Sequence, residues 1–143
     1  MCIRDRLLGV LDGKAVFGSM NRGGLQGAAW EIDDRFTAYD AAAIAAAGFE
    51  GGKMLVRIDL EDPATAATVE ACAHAVTALA GRGLVAMVEP FMAGAVEGRV
   101  RNVLTTDAAI RASAIAAALG TSSAYTWLKV PVVEDMELSL IHI

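Results

Sequence analysis

The sequence predicts an α/β fold in which parallel strands alternate with helices, and three observations carry that prediction. Four short runs are continuously apolar instead of alternating, the pattern of strands covered on both faces. Segments of helical period lie between them, several rich in alanine. The regular alternation implies βα units with right-handed crossovers, either in a doubly wound sheet or in a (β/α)8 barrel. A complete barrel needs about 250 residues, so on that reading the chain supplies roughly half of one. Its exposed sheet edges would make it a poor independent folder.

The first strand is expected in KAVFGSM (14–20). The stretch SMNRGGLQGAAWEIDDRFTAYD (19–40) is long for a βα connection and rich in glycine. It is expected to close over a ligand, with Arg22 and the backbone N–H groups near Gly23 and Gly24 facing an anion. It lacks the spacing of a Walker loop or a dinucleotide fingerprint. A helix over 41–47 follows Asp40 as its cap. KMLVRID (53–59) is the second strand. The clearest helix begins at Asp62 as N-cap with Pro63 in its first turn, carries Val69, Cys72, Ala73, Val76 and Leu79 at helical spacing, and stops at GRG (81–83). LVAMVEP (84–90) is the third strand. EGRVRN (97–102) reads as a solvated turn whose Arg99 and Arg101 could meet substrate anions. An alanine-rich helix over 107–119 follows Thr106 and ends at Gly120, and AYTWLKVPVV (124–133) opens as the fourth strand.

The 143 residues are 55% hydrophobic and 20% charged, with a formal net charge of −5, which is globular composition. No basic run with interleaved aromatics points to nucleic acid, and no apolar stretch is long enough for a membrane span. A soluble cytoplasmic protein is the default expectation. MCIRDR (1–6) and LSLIHI (138–143) back-translate to near reverse complements, resembling a transposase mosaic end used as a sequencing adapter. Residues 1–6 and 138–143 are therefore read as adapter-derived artefacts flanking a partial domain over 7–137. Setting aside Cys2 and His142 leaves Cys72 and His74 as the only members of their types, too few for a disulfide, a zinc site or a Ser/His/Asp triad.

Polar groups gather at the C-terminal ends of the expected strands: Asn21 and Arg22, then Arg57 and Asp59, then Glu89, then Lys129. In parallel α/β proteins that is the face where active sites form. Strand parity places Leu55, Arg57 and Asp59 on one face, as it does Val85, Met87 and Glu89, and Tyr125, Trp127 and Lys129. Lys129 is the most pointed of these, since a buried ammonium is costly to desolvate unless it is paired or does chemistry. A lysine among apolar walls beside a carboxylate has the equipment for Schiff-base catalysis. Each residue also has a plainer reading: a snorkelling Lys129, a Glu89 that ends its strand, an Arg57–Asp59 pair. His74 is expected on an exposed helix face, Cys72 in the core, and Trp30 and Trp127 in packing.

At VRID, MVEPF and YTWLKVPVV the sequence resembles the class I aldolase superfamily of the deoxyribose-phosphate, tagatose-bisphosphate and archaeal fructose-bisphosphate aldolases. It is most similar to an uncharacterised aldolase-like branch associated with inositol catabolism. The resemblance spans residues 7–137 and implies a fragment of a (β/α)8 TIM barrel, about strands three to six. It implies that Lys129 forms the Schiff base and that Glu89 transfers protons. Some relatives carry lysine where this chain has Arg57, and a guanidinium stays protonated, so Arg57 is read as a substrate-anion contact beside Asn21 and Arg22, with Asp59 as a second proton-transfer group. The implied substrate is a phosphorylated ketose or keto-acid, for instance a deoxy-keto-gluconate phosphate, with no cofactor or metal and with a homo-oligomer as the assembly. The barrel strands that bind phosphate would be missing and the fragment inactive. Two alternatives stay open: an isomerase or lyase using Glu89 as general base without an imine, and a non-catalytic sugar-phosphate-binding barrel.

Overall fold

The computed structural model describes residues 10, 11, 13–23 and 32–137. The terminal segments read as adapter, and with them Cys2 and His142, lie outside the described residues, as do Gly24 and Trp30. Strand β1 is Phe17–Ser19, followed by helix α1 (Ala41–Ala46), β2 (Gly51–Ile58), α2 (Ala64–Ala80) and β3 (Val85–Val96). Then come β4 (Arg99–Asn102), α3 (Thr106–Ala117) and β5 (Thr126–Leu128).

Local chemistry explains where the helices start. Asp40 caps α1, its carboxylate accepting from the Ala43 N–H at 2.7 Å. The α2 start is stitched by Asp62, whose Oδ1 accepts from Ala64 N at 2.8 Å while Pro63 holds the cap position. Thr105, one residue earlier than the sequence indicated, caps α3 through the Ala108 N–H at 3.3 Å. Among the described residues, no helix is long and apolar enough to cross a membrane.

β1, β2, β3 and β5 are parallel, with β2 between β1 and β3 and with β5 on β3. Alternation along the strands then divides the sheet into two unlike faces. Met54, Val56 and Ile58 of β2 and Ala86 and Val88 of β3 are buried, packed with Ile44 of α1, Cys72, Val76 and Leu79 of α2, and Ala116 and Leu119 at the end of α3. Each such Val, Leu or Ile contributes about 1.5–3 kcal/mol through burial. The opposite face carries the intervening residues, including Lys53, Leu55, Met87, Glu89 and Trp127, all partly or well exposed.

The expectation of a (β/α)8 barrel fragment is corrected by the sheet itself. Among the described residues, the chain forms a small α/β unit with a mixed sheet of five strands and three helices, and its elements do not alternate throughout. β3 runs past Pro90 to Val96, turns through Glu97 and Gly98, and returns as antiparallel β4 without an intervening helix. The physical reason is the EG pair: Glu97 has φ 53 and Gly98 φ 72, the two left-handed residues of a tight hairpin turn. The segment read as a solvated turn is therefore a strand, and Val100 on it packs with Ala93 and Ile32.

Candidate active site

Strand register brings Glu89 and Lys129 to one level. Leu55 of β2 lies opposite Glu89, and Leu128 of β5 opposite Val88, with the Lys129 N–H donating to Val88 O at 2.8 Å. On the open face the Lys129 Nζ stands 2.8 Å from Glu89 Oε1, and Lys53 Nζ stands 2.5 Å from Oε2. One carboxylate is thus held between two ammonium groups. Burial opposes ionisation of Glu89, but the hydrogen bonds and charges of Lys129 and Lys53 outweigh it and hold its carboxyl below the ordinary value of 4.5.

The apolar enclosure expected around Lys129 is not what surrounds its side chain, which is 57% exposed against 15% for Glu89. Trp127, two residues earlier on the same face, is likewise half exposed and tilts against Phe17 with ring centroids 5.8 Å apart.

Arg57, Arg22 and Asn21 meet at a second location, organised by a residue that strand-end reasoning missed. Asp34 is buried and receives Arg57 Nη2 at 2.7 Å and Nε at 3.0 Å on Oδ1, the Arg57 backbone N–H at 3.0 Å on Oδ2, and Arg22 Nη1 at 2.8 Å on Oδ1. Asn21 is occupied by backbone: its amide donates to Asp34 O and Leu55 O and accepts from Leu55 N, so its side chain prolongs the β1–β2 ladder. Asp59 lies four residues beyond Leu55, about 13 Å along the strand from the level of Glu89. There its Oδ1 accepts from Glu61 N and its backbone pairs with Thr65, which shapes the turn into α2. The structure joins Glu89 with Lys129 and Arg57 with Arg22, and keeps Asp59 away from both.

Lys53 and Asp34 are the two residues sequence reasoning overlooked. Lys53 shares the parity of Leu55, Arg57 and Asp59, which was the signal available for it. Asp34 sits in the DD pair of the long connection, where only the fold reveals that one carboxylate is solvent-facing and the other buried. A cavity of about 420 Å³ opens beside Arg57, and a larger one of about 870 Å³ lies between α1 and α2, walled by Ala64, Ala67, Ala71 and Ala75. The larger one contains none of the Lys53, Glu89 and Lys129 side chains. Among the described residues no group of three or more His, Cys, Asp or Glu side chains is placed to hold a metal ion.

A search of curated proteins finds no significant match. Among solved structures, the crystal structure of Cgl0159 from Corynebacterium glutamicum is 53% identical to this chain, superposes with a TM-score of 0.88 and covers 95% of it. The chain covers 46% of that protein, just under half its length. The profile of the Cgl0159-like family matches residues 3–141. The chain belongs to the Cgl0159-like family.

Proposed function

We propose that this chain carries the lysine and carboxylate of a class I aldolase, making or breaking a carbon–carbon bond in a phosphorylated ketose or keto-acid through an imine on Lys129. The observation that carries the reading is the 2.8 Å pair of Lys129 and Glu89, side by side beyond parallel strands on an open face. The resemblance at VRID, MVEPF and YTWLKVPVV supports the same chemistry and a place in inositol catabolism.

The roles follow from reach. Lys129 gives one ammonium proton to the Glu89 carboxylate 2.8 Å away and, as the free amine, attacks the substrate carbonyl carbon; a second proton moves from that nitrogen to the oxygen to give a carbinolamine. Glu89 passes a proton to that hydroxyl, water leaves, and a protonated imine remains. The imine accepts the electron pair of the breaking carbon–carbon bond while the β-hydroxyl proton moves to the Glu89 carboxylate, leaving an aldehyde and an enamine. Protonation of the enamine carbon and hydrolysis return the free lysine. Lys53, on the other oxygen, keeps Glu89 in place when Lys129 turns to the carbonyl.

One observation favours a second reading. With both lysines on Glu89, the carboxylate is ionised at neutral pH and suited to abstract a proton beside a carbonyl that the ammonium groups polarise. That would be an isomerase or lyase without an imine, and Lys129→Arg would keep substantial turnover.

The test is borohydride trapping of the full-length protein with dihydroxyacetone phosphate, followed by peptide mass spectrometry. A reduced adduct on Lys129 is expected. Demonstrated ligand binding with no adduct overturns the imine and leaves the Glu89 reading.

A further inference from the structure

We infer that a second copy of this chain docks at the end of the sheet where β2 and β3 finish, the β3–β4 hairpin of each protomer lying on the turn over residues 59–62 of its partner. The inference stands apart from the function proposed above, because Lys53, Glu89 and Lys129 take no part in it.

Two exposed patches carry it, and each combines apolar side chains with charge. On the hairpin Val96 is 54% exposed, Val103 and Leu104 are exposed with it, and Arg99 and Arg101 stand exposed on β4, with Glu97 in the turn. On the turn that leaves β2, Leu60 is 64% exposed and is flanked by Asp59, Glu61 and Asp62. Among the described residues, Arg99, Arg101 and Glu61 have no ion-pair partner. Apolar side chains exposed together and rimmed by charge mark interaction surfaces, and these two surfaces are opposite in sign.

The arginines have a plainer role as well. β4 is an edge strand among the described residues, and charged side chains guard such edges against pairing with another strand. A guard has no need of exposed valines and a leucine, nor of an exposed leucine among the carboxylates that complement it. The arginines therefore disfavour strand addition along β4 and leave docking through side chains. The ribbon is also in place before it docks. Val100 anchors it on Ala93 and Ile32, and the Val103 N–H donates to Met92 O at 2.8 Å, so little ordering is lost on contact.

Placement selects a second copy as the occupant. Ile58, the last residue of β2, lies opposite Met92, after which β3 runs on to Val96, about 13 Å further. Turn and hairpin thus sit at one end of the sheet, with the hairpin overhanging. Complementary patches at the same end suit an isologous pair: one two-fold axis sets each hairpin on the partner's turn, and every contact is made twice. The chain carries a net charge of −5, so two copies repel each other except where the basic strand meets the acidic turn. That exception fixes the orientation.

The experiment is sedimentation velocity of the full-length protein over a concentration series at low and high salt. A reversible dimer that weakens with salt is expected. Arg99→Glu and Glu61→Arg, both at exposed positions, are each expected to weaken it at least about tenfold, because each sets like charges against one another at two symmetric contacts. The two changes in one chain are expected to restore dimerisation, since every reversed hairpin then meets a reversed turn. Restoration also shows that neither change acts through misfolding. A protein that stays monomeric throughout, as when further chain of the full-length protein covers these residues, overturns the proposal. So does a dimer indifferent to both single changes, or one that the charge swap fails to restore.

Discussion

Glu89 is the residue on which the open face is organised, and its ionisation ties the site to stability. Its carboxyl is held below the ordinary value of 4.5, so its folded pKa lies below its unfolded one. The sign follows from linkage: the contribution is complete above the unfolded value and is lost as pH falls through the folded one. Wild type is therefore expected to be more stable than Glu89→Gln at neutral pH, with the gap narrowing as pH falls below about 4.5. Urea midpoints measured across that range check it, and a gap that does not depend on pH would remove Glu89 from the linkage. At this scale the sequence showed Glu89 and Lys129 because both end apolar runs. It hid Lys53, which opens the charged stretch at the head of its run, and Asp34, whose partners lie on another strand. It also misplaced Asp59 and Asn21, because strand-end position alone does not distinguish a side chain that reaches a cluster from one consumed by a turn or a neighbouring backbone.

The elements were legible where a local rule acts alone. Asp40 before alanines and the apolar stripe of Val69, Cys72, Val76 and Leu79 each specify a helix without help from distant residues. The β3–β4 hairpin was missed because β4 is only four residues long and the turn before it rests on two backbone angles, not on an apolar run. Two glycines separate backbone strain from crowding. Gly98 in the hairpin turn has φ 72 with nothing within 4 Å of where a Cβ would stand, whereas Gly120 after α3 has φ 78 and would place that Cβ 2.7 Å from Val76 Cγ1. Gly98→Ala is expected to cost about 1 kcal/mol from the left-handed conformation alone. Gly120→Ala must also displace Val76 from the core and is expected to cost at least about 2 kcal/mol. Equal losses in urea denaturation would show that α3 yields where the packing says it does not.

At the scale of the whole molecule, the two faces of the sheet divide the labour. The face under α1, α2 and α3 holds nearly all the large buried side chains, and the other holds the charges. Continuous apolar runs led to an expectation of cover on both faces, but in β3 the run is continuous because alternate residues serve different purposes: Ala86 and Val88 are core, while Val85 and Met87 are only partly buried. Cys72 reports on the integrity of the packed face. It is fully buried in mid-α2, and burial first, with the Asp34 charge second, pushes its thiol up to about 12. Near neutral pH almost none of it is thiolate, and no reagent reaches it without displacing Val76 and Leu79 with the helix that carries them. Alkylation of Cys72, resolved from other thiols by peptide mass spectrometry, is therefore expected only through opening of the helix-covered core. Its rate should rise with urea along the same curve as loss of helical circular dichroism, and should rise further in Gly120→Ala than in Gly98→Ala. Labelling at the rate of a free thiol in the absence of denaturant would mean that α2 leaves the sheet independently, and that the packed face is not the cooperative unit its contacts describe.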